Sequence, residues 1–429
     1  MNLAKSRILG FAITASLSLS AHAAQMKAQC YLESKDRAKV EGLAIDKRFE
    51  IASVSKIMTA HWAVATLGAD YRYETQIHVT PISTDEVNLH VEGSHDPYFS
   101  RFQLQYLVAE LNRLGVSKVK SLTFDENFKF LAATRVGAVA QGHFRPTDPS
   151  PERVASNLRV TLNTLEDSYM TLMTKAKDVV GLELPQKIAL KVESISFVSK
   201  KDAKLGDLTK SYTMKSAPLH ALLKEMNRNS NNYSANIIFE GLGGADEYHQ
   251  FIDARLNTNR KKIRFVNGSG DSLVNSHGVK LYNEATCSTV IQVMFDLKTT
   301  LEAQGKHVED VMAVAGADAE GDGRSTVTAL YDNDFTDKAL IAKTGTVNPA
   351  VTLAGYASTQ KGLIYFGIIM GTDGSSADWR EGRGLIRQKV NEMFKKYKGR
   401  VSVKYEPQAF FPIDSESGLT PVLVEFGQN

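Results

Sequence analysis

Three short groups of residues have the types and the order that acyl transfer by a serine hydroxyl requires. That chemistry needs a nucleophile, a base for its proton, donors for the oxyanion and an acid for the leaving amine. Ser53-Val54-Ser55-Lys56 places a hydroxyl and an amine three residues apart, one turn along the same helix face. Lysine is a base only when neutral, and burial or a second nearby cation lowers its pKa. The apolar run from Ile57 to Leu67 provides the burial. Ser230-Asn231-Asn232 lies in a polar break between two helical patterns. There Ser230 can relay a proton between the lysines and the leaving nitrogen, and Asn232 can bind the substrate amide. Lys343-Thr344-Gly345-Thr346 ends a β-type run. An edge strand can pair its backbone with an extended peptide, and Gly345 clears the space a substrate needs. Lys343 places a cation beside a substrate carboxylate and the Ser230 hydroxyl, while Thr344 and Thr346 add hydroxyl donors. The backbone N–H groups of Ser53 and Thr346 are the expected oxyanion hole.

Each motif means little alone. Ser117-Lys118-Val119-Lys120 fits the first spacing and reads as a surface turn before a strand. Ser234-Ala235-Asn236 fits the second but falls inside a predicted helix. Ser and Asn also favour helix N-caps, and Lys-Thr-Gly turns are common. The conjunction of all three, in order and on a helix start, an interhelical loop and an edge strand, carries the weight.

These groups need elements to hold them. The stretch from Ser53 to Gly68 is apolar almost all round, as in a helix buried at a domain centre. Helical periodicity recurs from Ala217 to Met226, from Tyr233 to Glu240, from Glu284 to Leu297 and from Trp379 to Tyr397. Ala339–Lys343, Val351–Tyr356 and Leu363–Gly371 read as successive antiparallel strands. Between about 69 and 215 the pattern is strand, helix, strand, with strands again at Leu158–Leu162 and Ile188–Ile195 and a loop at Pro146–Pro151. The fold class expected is α+β. A transpeptidase-like domain (antiparallel sheet flanked by helices, plus a helical part) spans 24–68 and 216–429, interrupted by an inserted α+β domain at 69–215. Strand-like pieces after Val401 find no place in this scheme.

The 429 residues include 43% apolar and 23% charged side chains, ordinary for a soluble enzyme. Lys5 and Arg7, a short apolar run from Ile8 to Leu19 and Ala21-His22-Ala23 predict a Sec-type signal at 1–23. No later stretch reaches membrane-spanning length, so a periplasmic protein with no integral membrane segment is expected. Removing the signal takes the formal charge from +3 to +1, which gives no argument for nucleic acid as partner. The two cysteines, Cys30 and Cys287, rule out a disulfide framework, and whether they pair is open. His90 and His95 invite a zinc site, but without His-Glu-x-x-His on a helix the motif is weak. No metal or other cofactor is expected.

At the three motifs the chain resembles the class C, low-molecular-mass penicillin-binding proteins, the penicillin-binding protein 4 type of D-alanyl-D-alanine carboxypeptidase and endopeptidase. The resemblance continues through Ile51 to Ala60 and Leu67 to Thr75, the turn Glu92-Gly93-Ser94-His95-Asp96-Pro97, Val266-Asn267-Gly268-Ser269-Gly270, Ala315-Gly316 with Arg324, and Ala354-Gly355-Tyr356. Asn267 stands where an Asp is usual and Ile51 where a Pro is common. The span from Ser53 to Ser230 is shorter than in relatives that nest a third domain in the insertion. The resemblance implies peptidoglycan stem peptides as substrate, an acyl-enzyme on Ser53, β-lactams as covalent inhibitors and no cofactor. A serine β-lactamase shares the motif set, though the insertion at 69–215 favours a wall enzyme. A non-catalytic penicillin- or wall-binding protein need not keep both Lys56 and Lys343.

Overall fold

The computed structural model describes residues 24–34, 39–131, 150–318 and 325–422. The expected signal segment and Arg324 lie outside them. The chain builds two six-stranded sheets. The first is wholly antiparallel, in the order Ala313–Val314, Leu340–Val347, Ala350–Thr359, Gly362–Gly371, Gln25–Glu33, Glu41–Leu43. Every residue of Ala350–Thr359 is buried, so this strand has no polar face. The helix Ser376–Lys396 packs Ile386, Val390, Met393 and Phe394 on one side of the sheet. The helices Ser55–Leu67 and Cys287–Ala303 cover the other. A sheet sandwiched between helices buries apolar side chains on both faces, which explains the unbroken apolar runs.

Helices begin where side chains supply the missing acceptors. Thr286 accepts from the Thr289 N–H, Ser375 from that of Asp378, and Asn231 from that of Ser234. Such caps contribute about 1 kcal/mol each. The Cys287 helix also receives the disulfide that the sequence leaves open: Cys30 and Cys287 are bonded. An added Cβ on Gly367 would lie 2.9 Å from Cys287 Sγ, so glycine is what lets the central strand pass beneath the bridge.

The second sheet is mixed, in the order Thr420–Pro421, Lys210–Lys215, Glu74–Pro81, Glu86–Glu92, Lys118–Phe124, Lys191–Phe197. The last two pairings are parallel. Its core combines Leu104, Leu107 and Leu111 of the helix Arg101–Arg113 with Leu158 and Leu162. The strand expected at Leu158–Leu162 is instead part of a helix, Pro151–Asn163. Pro151 opens it, and buried Val154, Leu158, Thr161 and Leu162 recur at helical spacing. The alternation from 158 alone hid that period. Ser117, the decoy, takes a backbone hydrogen bond from its N–H to Asp85 O at the start of a strand. His90 sits mid-strand, stacked on His78 and bonded to the Thr123 hydroxyl.

The unplaced C-terminal residues form a strap. Val401 and Val403 N–H groups bond Ser358 O and Lys338 O beside the first sheet. Phe411 and Ile413 enter the second core, and Thr420–Pro421 pair with Tyr212 and Thr213. No helix among the described residues is long and apolar enough to cross a membrane.

The disulfide closes a separation of 257 residues. Replacing Cys30 and Cys287 together by Ser is expected to destabilise the protein by about 2–5 kcal/mol. Denaturant titration of both proteins, without reductant, measures it.

Candidate active site

Ala52, the residue before Ser53, is forced into an unusual conformation. Ser53 lies in a short 3-10 turn, Ala52–Val54, that runs straight into the Ser55–Leu67 helix. The hydroxyl and amine are thus joined through a tightened turn rather than along a regular α-helix. Ala52 has φ of 48°, a left-handed geometry that costs a non-glycine residue about 1–3 kcal/mol. Its surroundings impose it. Ile51 N–H donates to Asn283 O, Thr352 Oγ1 donates to Ile51 O at 2.9 Å, and Ser55 Oγ donates to Ala52 O at 2.7 Å. Gly270 presses against the same carbonyl. A Cβ there would lie 1.9 Å from Ala52 O, and its φ of +78° favours glycine independently.

Lys56 is fully buried. Its Nζ lies 3.0 Å from Ser53 Oγ, 2.7 Å from Asn232 Oδ1 and 3.0 Å from Ser269 O. Burial holds its pKa well below the ordinary lysine value, the Lys343 charge lowers it further, and Asp271 opposes them. Lys343 is equally buried, and its Nζ donates to Ser230 Oγ at 2.9 Å and Thr344 O at 2.8 Å. Burial lowers this amine to about 7. Ser53, Ser230, Asn232 and Thr346 are half-buried. The amines are therefore withdrawn from solvent while the groups that would touch substrate stay within reach.

Two helix ends set the middle group. Ser230 terminates the helix Leu219–Asn229 at φ 57°, and Asn231 caps the helix Asn232–Gly241. The cap role foreseen as an alternative thus falls to Asn231, leaving Ser230 for Lys343 and Asn232 for Lys56. The rival Ser234 and Asn236 brace the site from behind. Ser234 Oγ donates to Pro97 O, tying the helix to the Glu92–Pro97 turn, and Asn236 Oδ1 accepts from Ser269 N–H. Asn267 organises the loop by accepting from Gly270 N–H at 2.8 Å and donating to Asp271 O at 2.9 Å. The amide does here what a lone carboxylate could do only in part, because it donates as well as accepts.

The Leu340–Val347 strand is not outermost along its whole length, because Ala313–Val314 pair with Ala342 and Ile341. From Lys343 onward that flank has no strand partner among the described residues. A Cβ on Gly345 would meet Thr352 Oγ1 at 2.2 Å and Ala52 Cβ at 2.9 Å, so glycine here lets the strand close on the nucleophile turn. Thr344 Oγ1 donates to Thr326 Oγ1 at 3.0 Å. Two residues near the site escaped the sequence reading. Asp271 has Oδ2 3.5 Å from Asn232 Nδ2, and its position directly after Gly270 was the available signal. Arg383 donates from Nη2 to Thr346 Oγ1 at 3.1 Å, and nothing in the local sequence marks it.

The chain has known relatives. A family model described as D-Ala-D-Ala carboxypeptidase 3 (S13) matches residues 35–130 and 168–389. The chain belongs to that family. The chain is similar to a predatory endopeptidase of Bdellovibrio bacteriovorus solved with an immunity protein, at 34% identity and a TM-score of 0.84, over 93% of this chain and 100% of that one. The same endopeptidase solved acylated by penicillin G gives a TM-score of 0.80 at 34% identity, over 93% and 100% of the two chains. Penicillin-binding protein 4 of Haemophilus influenzae, at 16% identity, TM-score 0.59 and coverage of 87% and 97%, shares the fold. No curated protein sequence matches the chain. The resemblance and the α+β penicillin-binding fold expected from sequence are thereby met.

Two expectations follow for this S13 family member. Gly270→Ala should abolish penicillin acylation and lower the melting temperature, because Ala52 O cannot yield without moving Ser53; labelling beside a thermal scan tests it. Lys343 also makes stability pH-dependent. Below about 7 it is protonated in both folded and unfolded chains, and the cost of burying the charge is complete. Between about 7 and its ordinary value of 10.5 only the unfolded chain holds the proton, so wild-type stability rises with pH. A Lys343→Met variant should lose this contribution. Denaturant midpoints at pH 6 and pH 9 should show wild type gaining on the variant as pH rises.

Proposed function

We propose that this serine D,D-peptidase cleaves peptidoglycan stem peptides through an acyl-enzyme on Ser53, with D,D-cross-links as well as terminal D-alanine as targets. The observation that carries the reading is the buried Lys56 amine 3.0 Å from Ser53 Oγ, its pKa held well below the ordinary lysine value by burial. Family membership supports the reaction class. The endopeptidase activity of the 34%-identical Bdellovibrio relative supports the cross-link. A further expectation carried by the predicted signal segment is that the enzyme works in the periplasm, where this polymer lies.

In the proposed sequence Ser53 Oγ attacks the carbonyl of the penultimate D-residue as its proton passes to neutral Lys56. The oxygen of the tetrahedral intermediate takes its negative charge between the Ser53 and Thr346 N–H groups, which act before substrate has to reorganise them. The leaving nitrogen needs a proton, and Ser230 delivers one that Lys343 on its far side replenishes; the proton taken up by Lys56 then passes to Lys343, so that Lys56 is neutral again before water attacks. Asn232 orients the Lys56 amine through Oδ1 and offers Nδ2 to the acyl-side amide. Water then repeats the steps in reverse on the ester, with Lys56 drawing its proton. A β-lactam enters as the same kind of substrate, and its opened ring leaves a penicilloyl ester on Ser53.

A fluorescent penicillin should label the protein covalently and a Ser53→Ala variant should not. The protein should release D-alanine from a pentapeptide stem and split purified D,D-cross-linked dimers. Persistent labelling of the variant would remove Ser53 from the role. Rapid penicillin turnover without D-alanine release or dimer cleavage would make the protein a β-lactamase.

A further inference from the structure

A neutral lysine amine has two N–H donors and one lone pair, and the surroundings of Lys56 divide them. Asn232 Oδ1 at 2.7 Å and Ser269 O at 3.0 Å take the two donors. The lone pair is left for the Ser53 hydroxyl at 3.0 Å, which can donate to it. The Ser269 carbonyl can serve in only one way. The Asn232 amide has two faces to offer: turned over, it would present Nδ2 to the amine and donate to the lone pair that Ser53 needs. The amide must therefore be held with its oxygen toward Lys56.

Asp271 stands at the other end of that amide. Its Oδ2 accepts from Asn232 Nδ2 at 3.5 Å. An ionised carboxylate only accepts, so it selects the nitrogen and leaves the oxygen for Lys56. The carboxylate is itself aimed. Its Oδ1 accepts from the Ser272 N–H at 2.8 Å, and the Asp271 N–H donates to Ser269 Oγ at 3.2 Å. Asn267 Nδ2 donates to Asp271 O at 2.9 Å. The Asn267–Ser272 loop thus gives the amine one acceptor directly, through Ser269 O, and orients the other through Asp271.

Two charges act on the buried amine. Beyond burial, which disfavours its protonation most, Lys343 on the Leu340–Val347 strand disfavours it further and Asp271 favours it. The other elements packed on the nucleophile helix carry charges that are engaged elsewhere. On the Cys287–Ala303 helix Asp296 bonds His61 and Arg255, the latter from the Gly244–Leu256 helix. On the Leu219–Asn229 helix Glu225 acts on Tyr98, and Arg228 on Lys224. The Asn232–Gly241 helix presents neutral Asn232 and Asn236. Asp271 also faces Tyr282, whose phenol feels Glu50 as well.

We propose that Asp271 is a positioning residue of the acylation step: through the Asn232 side chain it keeps the Lys56 lone pair on Ser53, and its charge stabilises the ammonium that forms there. This rests on the reading of Ser53 as nucleophile and Lys56 as base, and adds to them an orienting third group. Asp271 exchanges no proton itself. As the Ser53 Oγ–carbonyl bond forms, the Oγ proton moves to Lys56 Nζ, and the positive charge so created lies one side chain away from the carboxylate. Placed there, the carboxylate favours the charged state without making the direct contact that would fix the proton on Lys56 beforehand.

The test follows the second-order rate of acylation by a fluorescent penicillin against pH, in the full chain. Wild type should lose rate as pH falls and Lys56 takes up a proton. Asp271→Asn removes the charge that favours the ammonium, so Lys56 should stay neutral to lower pH. The acid limb of the profile should move down by about one pH unit. The plateau above it should fall about threefold or more, because a less basic amine draws the Ser53 proton less strongly. The two profiles should therefore cross, with the variant the faster protein at acid pH. A purely structural role would instead lower the rate in parallel at every pH, and that result, or an unmoved limb, would overturn the proposal. Asp271→Glu keeps the charge and should keep the wild-type limb. Should the Asn variant fail to fold, a Glu variant with native circular dichroism whose limb drops by a full unit would overturn it equally. Wild-type protein that takes no penicillin at any pH sinks the acyl-enzyme reading itself, whereas a titrating wild type with an unmoved variant sinks this inference alone.

Discussion

The site depends on keeping a lysine amine dry. An ammonium taken out of water without a matched counter-charge is driven toward losing its proton, and a neutral amine is what the role proposed for Lys56 beside Ser53 requires. Lys56 meets this condition with three neutral acceptors (the Ser53 hydroxyl, the Asn232 amide and the Ser269 carbonyl) and a carboxylate, Asp271, kept one residue further off. A carboxylate in direct contact would restore the charge and remove the base. Lys343 adds repulsion from the other side of the cleft. Burying two amines whose charging is opposed in this way weakens the fold, and the large apolar cores on both faces of the first sheet offset that cost.

Everything around the nucleophile turn reads as a means of holding that arrangement still. Ala52 is pinned in a left-handed conformation by contacts from Asn283, Thr352, Ser55 and Gly270. The loop that carries Ser269 and Gly270 is braced in turn by Asn267 and Asn236. Asn283 adds to the bracing by accepting from the Val266 N–H and donating to Asn267 O. The second unit takes part as well. Its Glu92–Pro97 turn accepts from Ser234, and the C-terminal strap crosses from the first sheet to the second, burying Phe411 and Ile413 beyond it. A shift of the second sheet and its Glu92–Pro97 turn would therefore be felt at the helix that carries Asn232.

Much of this was legible in the chain alone. Ser53, Lys56, Ser230, Asn232 and Lys343 stand out as candidates by residue type, spacing and local period, because proton transfer leaves few choices of side chain; what the fold adds is that Lys56 contacts Ser53 and Asn232, and Lys343 contacts Ser230. The nucleophile helix, the three late strands and the closing helix were visible because long buried elements carry strong periodicity. The helix at Pro151–Asn163 was missed because a short half-buried stretch looks alike at period 2 and period 3.6. The fate of the residues after Val401 was hidden because an irregular strap has no period at all.

The sequence by itself determined which groups can do the chemistry, since nucleophile, base and relay are properties of side chains. Tertiary structure alone shifted their ionisation, since burial lowers the pKa of both the Lys56 and the Lys343 amine and the Lys343 charge adds to the lowering of Lys56. It alone paired Cys30 with Cys287, turned Asn231 into a cap so that its neighbours were released to the lysines, and brought Arg383 to Thr346. These are distances across the fold, and no local pattern of residue types encodes a distance between segments that meet only when the core closes.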